Sequence, residues 1–171
     1  MKHVRKGSLA IFLLGCVMVL GLSCTLGLNG CGKRFSREWC DDPYWISQVG
    51  DSYSYGLRNS TTGDGFMMID FKGFYGRDTV WELISDCTVR VPYEVFVSNL
   101  HAEVFRVVLI HGETGEIETL YRDGTVGSAS ISLTPGKHTV RIIGYGARGR
   151  LYMKLTIPQG VTAVDRFSDR W

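Results

Sequence analysis

Along residues 87–97, Cys87, Val89, Val91, Tyr93, Val95 and Val97 alternate with Thr88, Arg90, Glu94 and Phe96. A period of two places the first set on one side of an extended chain, so this segment predicts a half-buried strand. Pro92 falls among the outward residues and has no N–H to donate, which predicts an edge strand or one split by a bulge. Residues 104–110 are apolar at every position except Arg106 and predict a central strand. Ala129, Ile131 and Leu133 alternate with Ser128, Ser130 and Ser132. Residues 66–71, 79–84, 116–121, 139–145 and 150–157 complete a set of about eight strands.

Turn chemistry separates these runs. Gly112-Glu113-Thr114-Gly115 supplies one loop, and Thr134-Pro135-Gly136-Lys137 has the proline and glycine placement of a type II turn. No long stretch carries the 3.6-residue period of an amphipathic helix. Strand count and turn spacing together predict an all-β, antiparallel domain, a β-sandwich or jelly roll. A glycine count of 21 fits many tight turns.

The segment Gly146-Ala147-Arg148-Gly149 reads as a hairpin loop between residues 139–145 and 150–157. Closed that way, Gly144 faces Leu151, Ile142 faces Met153 and Val140 faces Leu155. On the other side Tyr145 faces Arg150, Ile143 faces Tyr152 and Arg141 faces Lys154. The basic pair Arg141 and Lys154, with an acid such as Glu94 nearby and with Tyr145, Arg150 and Tyr152 around it, is the expected ligand surface. Outward aromatic rings on a sheet can stack on sugars or anchor a protein; Phe96 is a further one. An ordinary solvated face is the competing expectation.

The N-terminus has different chemistry. Residues 1–6 carry Lys2, Arg5 and Lys6, and residues 7–28 form an uncharged, mostly apolar run. It ends at Leu28-Asn29-Gly30-Cys31, followed at once by Lys33 and Arg34. This arrangement resembles a bacterial lipoprotein signal, whose pattern is a basic start, an apolar stretch and Leu-x-(Gly/Ala/Ser)-Cys. The resemblance implies cleavage before Cys31, lipid on its thiol, and a domain on the extracytoplasmic side of the cell membrane. Leu13-Leu14-Gly15-Cys16 also fits the pattern, and Gly21-Leu22-Ser23-Cys24 fits it less well. An uncleaved signal anchor, long enough to span a bilayer, is the alternative.

The expected layout is a signal peptide over residues 1–30, an acylated Cys31 and tether to residue 63, a β-domain over 64–160 and a tail over 161–171. The tether contains Tyr44, Trp45, Tyr53 and Tyr55, too many rings for a free linker, so part of it is expected to lie on the domain. A short helix over residues 44–49 is weakly signalled, and residues 59–65 read as a loop.

Charge and cysteines narrow the function. The formal net charge is +2, and removing Lys2, Arg5 and Lys6 leaves 16 basic residues against 17 acidic, so no nucleic-acid partner is expected. Once the signal is cleaved and Cys31 is lipidated, Cys40 and Cys87 remain. They are left open as a disulfide or as two separate thiols. Gly144-Tyr145-Gly146-Ala147-Arg148-Gly149 matches G-x-G-x-x-G, but the residues after it alternate as a strand, whereas a dinucleotide site needs a helix there. His101, His111 and His138 lack metal-ligand spacing. Asp41, Asp42 and Asp51 read as a solvated acidic loop rather than a calcium site. No catalytic motif, metal or cofactor is expected.

The sequence therefore predicts a membrane-anchored lipoprotein carrying a non-catalytic binding or structural module. Its partners would be the membrane, through lipid on Cys31, and a cell-wall glycan or an envelope protein. The alternatives are an envelope hydrolase whose site assembles only in the fold, and an accessory subunit of an envelope complex.

Overall fold

The computed structural model describes residues 35–122, 124 and 127–167. The signal-like segment and Cys31 lie outside the described residues. A 3-10 turn, Glu38–Asp41, and a short helix α1, Pro43–Ser47, come first. Nine strands follow: β1 Ser52–Ser54, β2 Leu57–Gly63, β3 Phe66–Ser85, β4 Val89–His101, β5 Val104–Ile110, β6 Ile117–Arg122, β7 Gly127–Leu133, β8 Gly136–Leu155 and β9 Val161–Asp165. Every pairing is antiparallel. The domain is all-β and sandwich-like.

Two 20-residue strands, β3 and β8, organise the fold. They pair along nearly their whole length, with register shifts between Phe71 and Phe74, between Phe74 and Gly76, and between Thr79 and Trp81. Those bulges divide the sheet into halves that share both strands. One half runs β2, β3, β8, β4, β7; the other runs β9, β3, β8, β5, β6, with β1 also on the β3 edge. Glycine permits the bend. Gly76 has φ 108°, and a Cβ there would lie 2.0 Å from the Ser52 carbonyl oxygen. At Gly144 a Cβ would lie 2.5 Å from the Phe74 ring.

Bending turns both inner faces onto one core. Met67, Ile69, Val91, Val95, Ile131, Leu151 and Met153 come from the first half. Trp81, Leu83, Phe105, Val107, Leu109, Tyr121, Val140 and Ile142 come from the second. Tyr93 on β4 donates a hydrogen bond of 3.3 Å to the Leu120 carbonyl on β6, directly linking the halves. Stacked rings fill the bend: Phe71 against Phe105 at 5.0 Å and Tyr55 against Phe74 at 4.7 Å. The buried Asp78 carboxylate accepts from Tyr55 at 2.8 Å and lies 3.7 Å from Arg58. Burial, then Asp78, pushes the Tyr55 phenol well above its ordinary pKa.

Several sequence expectations need correction. Residues 139–145 and 150–157 are not arms of a hairpin: residues 139–145 and 150–155 both belong to β8, which continues through residues 146–149 and ends at Leu155. Arg141 pairs with Thr79 and Val108, whereas Lys154 pairs with Phe66 and Glu94. The same merging joins residues 66–71 to 79–84 in β3. A domain boundary at residue 64 is too late, because β1 and β2 already belong to the sheet and the supposed loop over residues 59–62 is strand. Residues 161–165, assigned to the tail, form β9.

Pro92 is not on an edge strand: β4 lies between β7 and β8. Its carbonyl accepts from Thr156 N, so its backbone polar groups face β8 just past the last rung, Tyr93 opposite Leu155. The missing donor thus falls where the ladder ends.

Candidate functional site: a cleft beneath the N-terminal arm

The outer face of the second half carries apolar and cationic groups together. Val104, Val108, Ile110 and Ile143 form a second apolar cluster, capped by Cys40 and Ile46 of the arm. Among them sit Arg77, Arg106 and Arg141, all buried. Charged side chains persist in such positions only when paired, and here the arm supplies the partners.

Arg141 provides the central fastening. Its Nη1 donates to the carbonyls of Ile46 and, at 3.0 Å, Gln48; its Nη2 donates to Gly50 O at 3.3 Å and Thr79 Oγ1 at 3.1 Å. Nε completes the set with Thr79 Oγ1 at 3.2 Å. A guanidinium has five N–H groups, so Arg141 is fully engaged. The Asp51 carboxylate stands 3.7 Å away and accepts from Thr79 N at 2.9 Å and Thr79 Oγ1 at 2.7 Å.

Arg77 grips the same segment. It donates to Trp45 O, to Gln48 Oε1 at 3.2 Å and to Gly50 O at 3.4 Å, with its guanidinium 4.7 Å from the Trp45 ring centroid. Burial lowers its pKa, with Asp51 opposing, yet an arginine remains cationic. Farther along, Arg106 donates to Asp41 at 2.7 Å. Asp42 caps α1, accepting from Tyr44 N at 2.9 Å. The three acids read as a solvated loop thus each have a specific structural role.

Fixing the arm creates a cleft of about 970 Å³ between its residues 47–51, the β5–β6 loop and the sheet. Thr79, Thr139 and Ile110 line it, and Val49, wholly exposed, stands among its lining residues. Its charged lining includes Glu82, Lys137, Arg166 and Glu113, with His111 beside them. Glu82 holds Lys137 at 2.5 Å and also pairs with Arg166. Burial pushes the Glu82 pKa up, but hydrogen bonds from Lys137 and Arg166 outweigh it and hold the carboxyl below its usual range. The cleft therefore offers both signs of charge and a threonine-lined surface.

The five residues expected to share one ligand surface are divided between two. Arg141 is spent on the arm. Tyr145 packs edge-on against Tyr75 at 5.2 Å near the bend. Arg150, Tyr152 and Lys154 lie on the outer face of the first half, where Arg150 is bound by Asp70 at 2.6 and 3.0 Å, Tyr152 lies opposite Phe96, and Lys154 lies opposite Glu94. Cys40 and Cys87 do not pair. Cys40 is buried beneath the arm, and Cys87 is exposed in the β3–β4 turn. Burial raises the Cys40 thiol to about 11. The G-x-G-x-x-G segment, residues 144–149, lies within β8 and opens no helix.

Sequence reasoning missed Arg77, Thr79, Glu82 and Arg166. A signal for the cationic face did exist: Arg106 and Arg141 each interrupt an apolar run. Among the described residues, no helix is long and apolar enough to cross a membrane, and no cluster of His, Cys, Asp and Glu is placed to hold a metal ion. Neither a protein-family model nor a curated protein matches the chain.

Proposed function

We propose that this chain is a lipoprotein, anchored through lipid on Cys31, whose extracytoplasmic β-domain binds a polar partner of the cell envelope in the cleft beneath the arm. The observation that carries the binding half is the cleft itself. Its volume of about 970 Å³ is of ligand size, and its wall is held in place by two arginines rather than left as a loose loop. The anchoring half is supported by Leu28-Asn29-Gly30-Cys31 after a basic, apolar leader.

Cell-wall glycan is the partner to test first, because its amide, hydroxyl and ionic groups match the cleft lining. The full-length protein in mild detergent should co-sediment with insoluble wall polymer. Val49→Asp with Lys137→Ala should weaken retention at least tenfold. Both side chains are substantially exposed, so the domain should fold unchanged. Retention equal to the unaltered protein's would contradict the cleft, and absence of co-sedimentation would contradict the glycan.

A further inference from the structure

The first half of the sheet ends on β7, which among the described residues pairs only with β4. The direction of its free backbone groups follows from Pro92. Because Pro92 O accepts from Thr156 N, the polar groups of Pro92 face β8, and those of its neighbours Val91 and Tyr93 face β7. Their partners Ile131 and Ala129 therefore point back at β4. Ser128, Ser130 and Ser132 direct their N–H and C=O groups away from the sheet, as a ready ladder for another strand.

Such an edge is normally blunted by charge, proline or a bulge. β7 has none of these: its sequence is Gly-Ser-Ala-Ser-Ile-Ser-Leu, and its register with β4 is unbroken. Among the other described edge strands longer than three residues, β2 carries Arg58, β6 carries Glu118 and Arg122, and β9 carries Asp165.

We propose that β7 pairs with β7 of a second copy of this chain, joining two domains through one continuous sheet. The pairing is antiparallel about a twofold axis at Ser130, which faces its own copy. Ser128 then faces the copy's Ser132, and Ala129 faces the copy's Ile131. Each serine pair exchanges both backbone hydrogen bonds, and only small or apolar side chains meet across the seam. Charge supports a copy as the occupant. Glu94 lies beside Ser128 and Arg90 beside Ser132, so each outer rung runs from Glu94 of one chain to Arg90 of the other. The charges nearest the seam on each outer rung are therefore of opposite sign, with Lys154 one strand farther out beside Glu94. The inference stands apart from the cleft.

The test is cysteine crosslinking in membranes of cells making the full chain, in a Cys87→Ser background that removes the exposed thiol. Hydrogen-bonded partners have Cα atoms ~5.5 Å apart, within disulfide reach. Under mild oxidation Ser130→Cys should run as a dimer on a non-reducing gel. Ser128→Cys alone should stay monomeric, since its copy lies ~13 Å along the seam, while Ser128→Cys with Ser132→Cys should crosslink again. Absence of a dimer at Ser130→Cys, equal crosslinking at position 128 alone, or a Ser130→Cys adduct with a chain of another mass would each overturn the proposal. Independently, Ser130→Lys should halve the native mass of the detergent-solubilised protein by setting two cations face to face; an unchanged dimer would also overturn it.

Discussion

Replacing Arg141 with methionine removes the fastening of the arm while keeping a long side chain over the sheet. The change deletes five hydrogen bonds, leaving the carbonyls of Ile46, Gln48 and Gly50 without this donor. It also takes the cation from beside Asp51, whose side chain is only 15% exposed. Removing one member of a buried pair costs about 3–5 kcal/mol. Asp51 keeps both Thr79 hydrogen bonds and Arg77 still holds Trp45 and Gln48, so the low end applies, ~3 kcal/mol. At 1.36 kcal/mol per decade, the arm should open about 150-fold more often. Cys40 reports this opening directly. It is 1% exposed beneath the arm, with its thiol raised to about 11, whereas Cys87 is exposed and serves as an internal reference. Site-resolved alkylation read by mass spectrometry should show Cys40 labelling accelerated about a hundredfold. Cys87 labelling and amide exchange over residues 151–155 should not change. An unchanged Cys40 rate in Arg141→Met, or Cys40 labelling as fast as Cys87 in the unaltered protein, would refute the latch.

The same structure predicts the effects of three further perturbations. Gly144→Ala places a methyl 2.5 Å from the Phe74 ring and should destabilise the fold by about 1–3 kcal/mol, measured as a lowered urea midpoint; an unchanged midpoint would contradict the tight bend. Glu82→Gln should cost ~1 kcal/mol at neutral pH, discounted because Lys137 and Arg166 are about half exposed. The Glu82 pKa is depressed in the folded state, so its contribution is present above the ordinary carboxylate range and fades as pH falls through the lowered value. Stability curves of the two proteins should therefore separate at neutral pH and converge in acid; a constant gap would contradict the ionic role. Arg106→Met, which deprives Asp41 of its nearest cation, should speed Cys40 labelling less than Arg141→Met does, because Arg106 has a single hydrogen bond to the arm; the reverse order would misplace the main fastening.

Strands with one wet face and one dry face were legible in the sequence. The alternation over residues 87–97 survives in β4, where Val91, Tyr93 and Val95 are buried and Arg90, Pro92 and Glu94 are exposed. The run over residues 104–110, apolar except for Arg106, is buried on both faces in β5, with Phe105, Val107 and Leu109 in the core and Val104, Val108 and Ile110 beneath the arm. Continuity through the bend was not legible. Gly146-Ala147-Arg148-Gly149 has the composition of a hairpin loop, yet β8 runs through it, and its register with β3 shifts there. β2 was missed because most of its residues are exposed and polar, so it carries no alternation. The latch was invisible for another reason. It joins arginines on β3 and β8 to backbone carbonyls about thirty to ninety residues earlier, and a carbonyl leaves no mark in a sequence.

The anchor is the claim on which the proposed role depends, and metabolic labelling with a palmitate analogue tests it most directly. The unaltered chain should incorporate label, and Cys31→Ser should lose it and accumulate a longer, unprocessed precursor. Undiminished labelling of Cys31→Ser would contradict the account and move the modification to Cys24 or Cys16; a chain that never takes up label would leave an uncleaved signal anchor in its place.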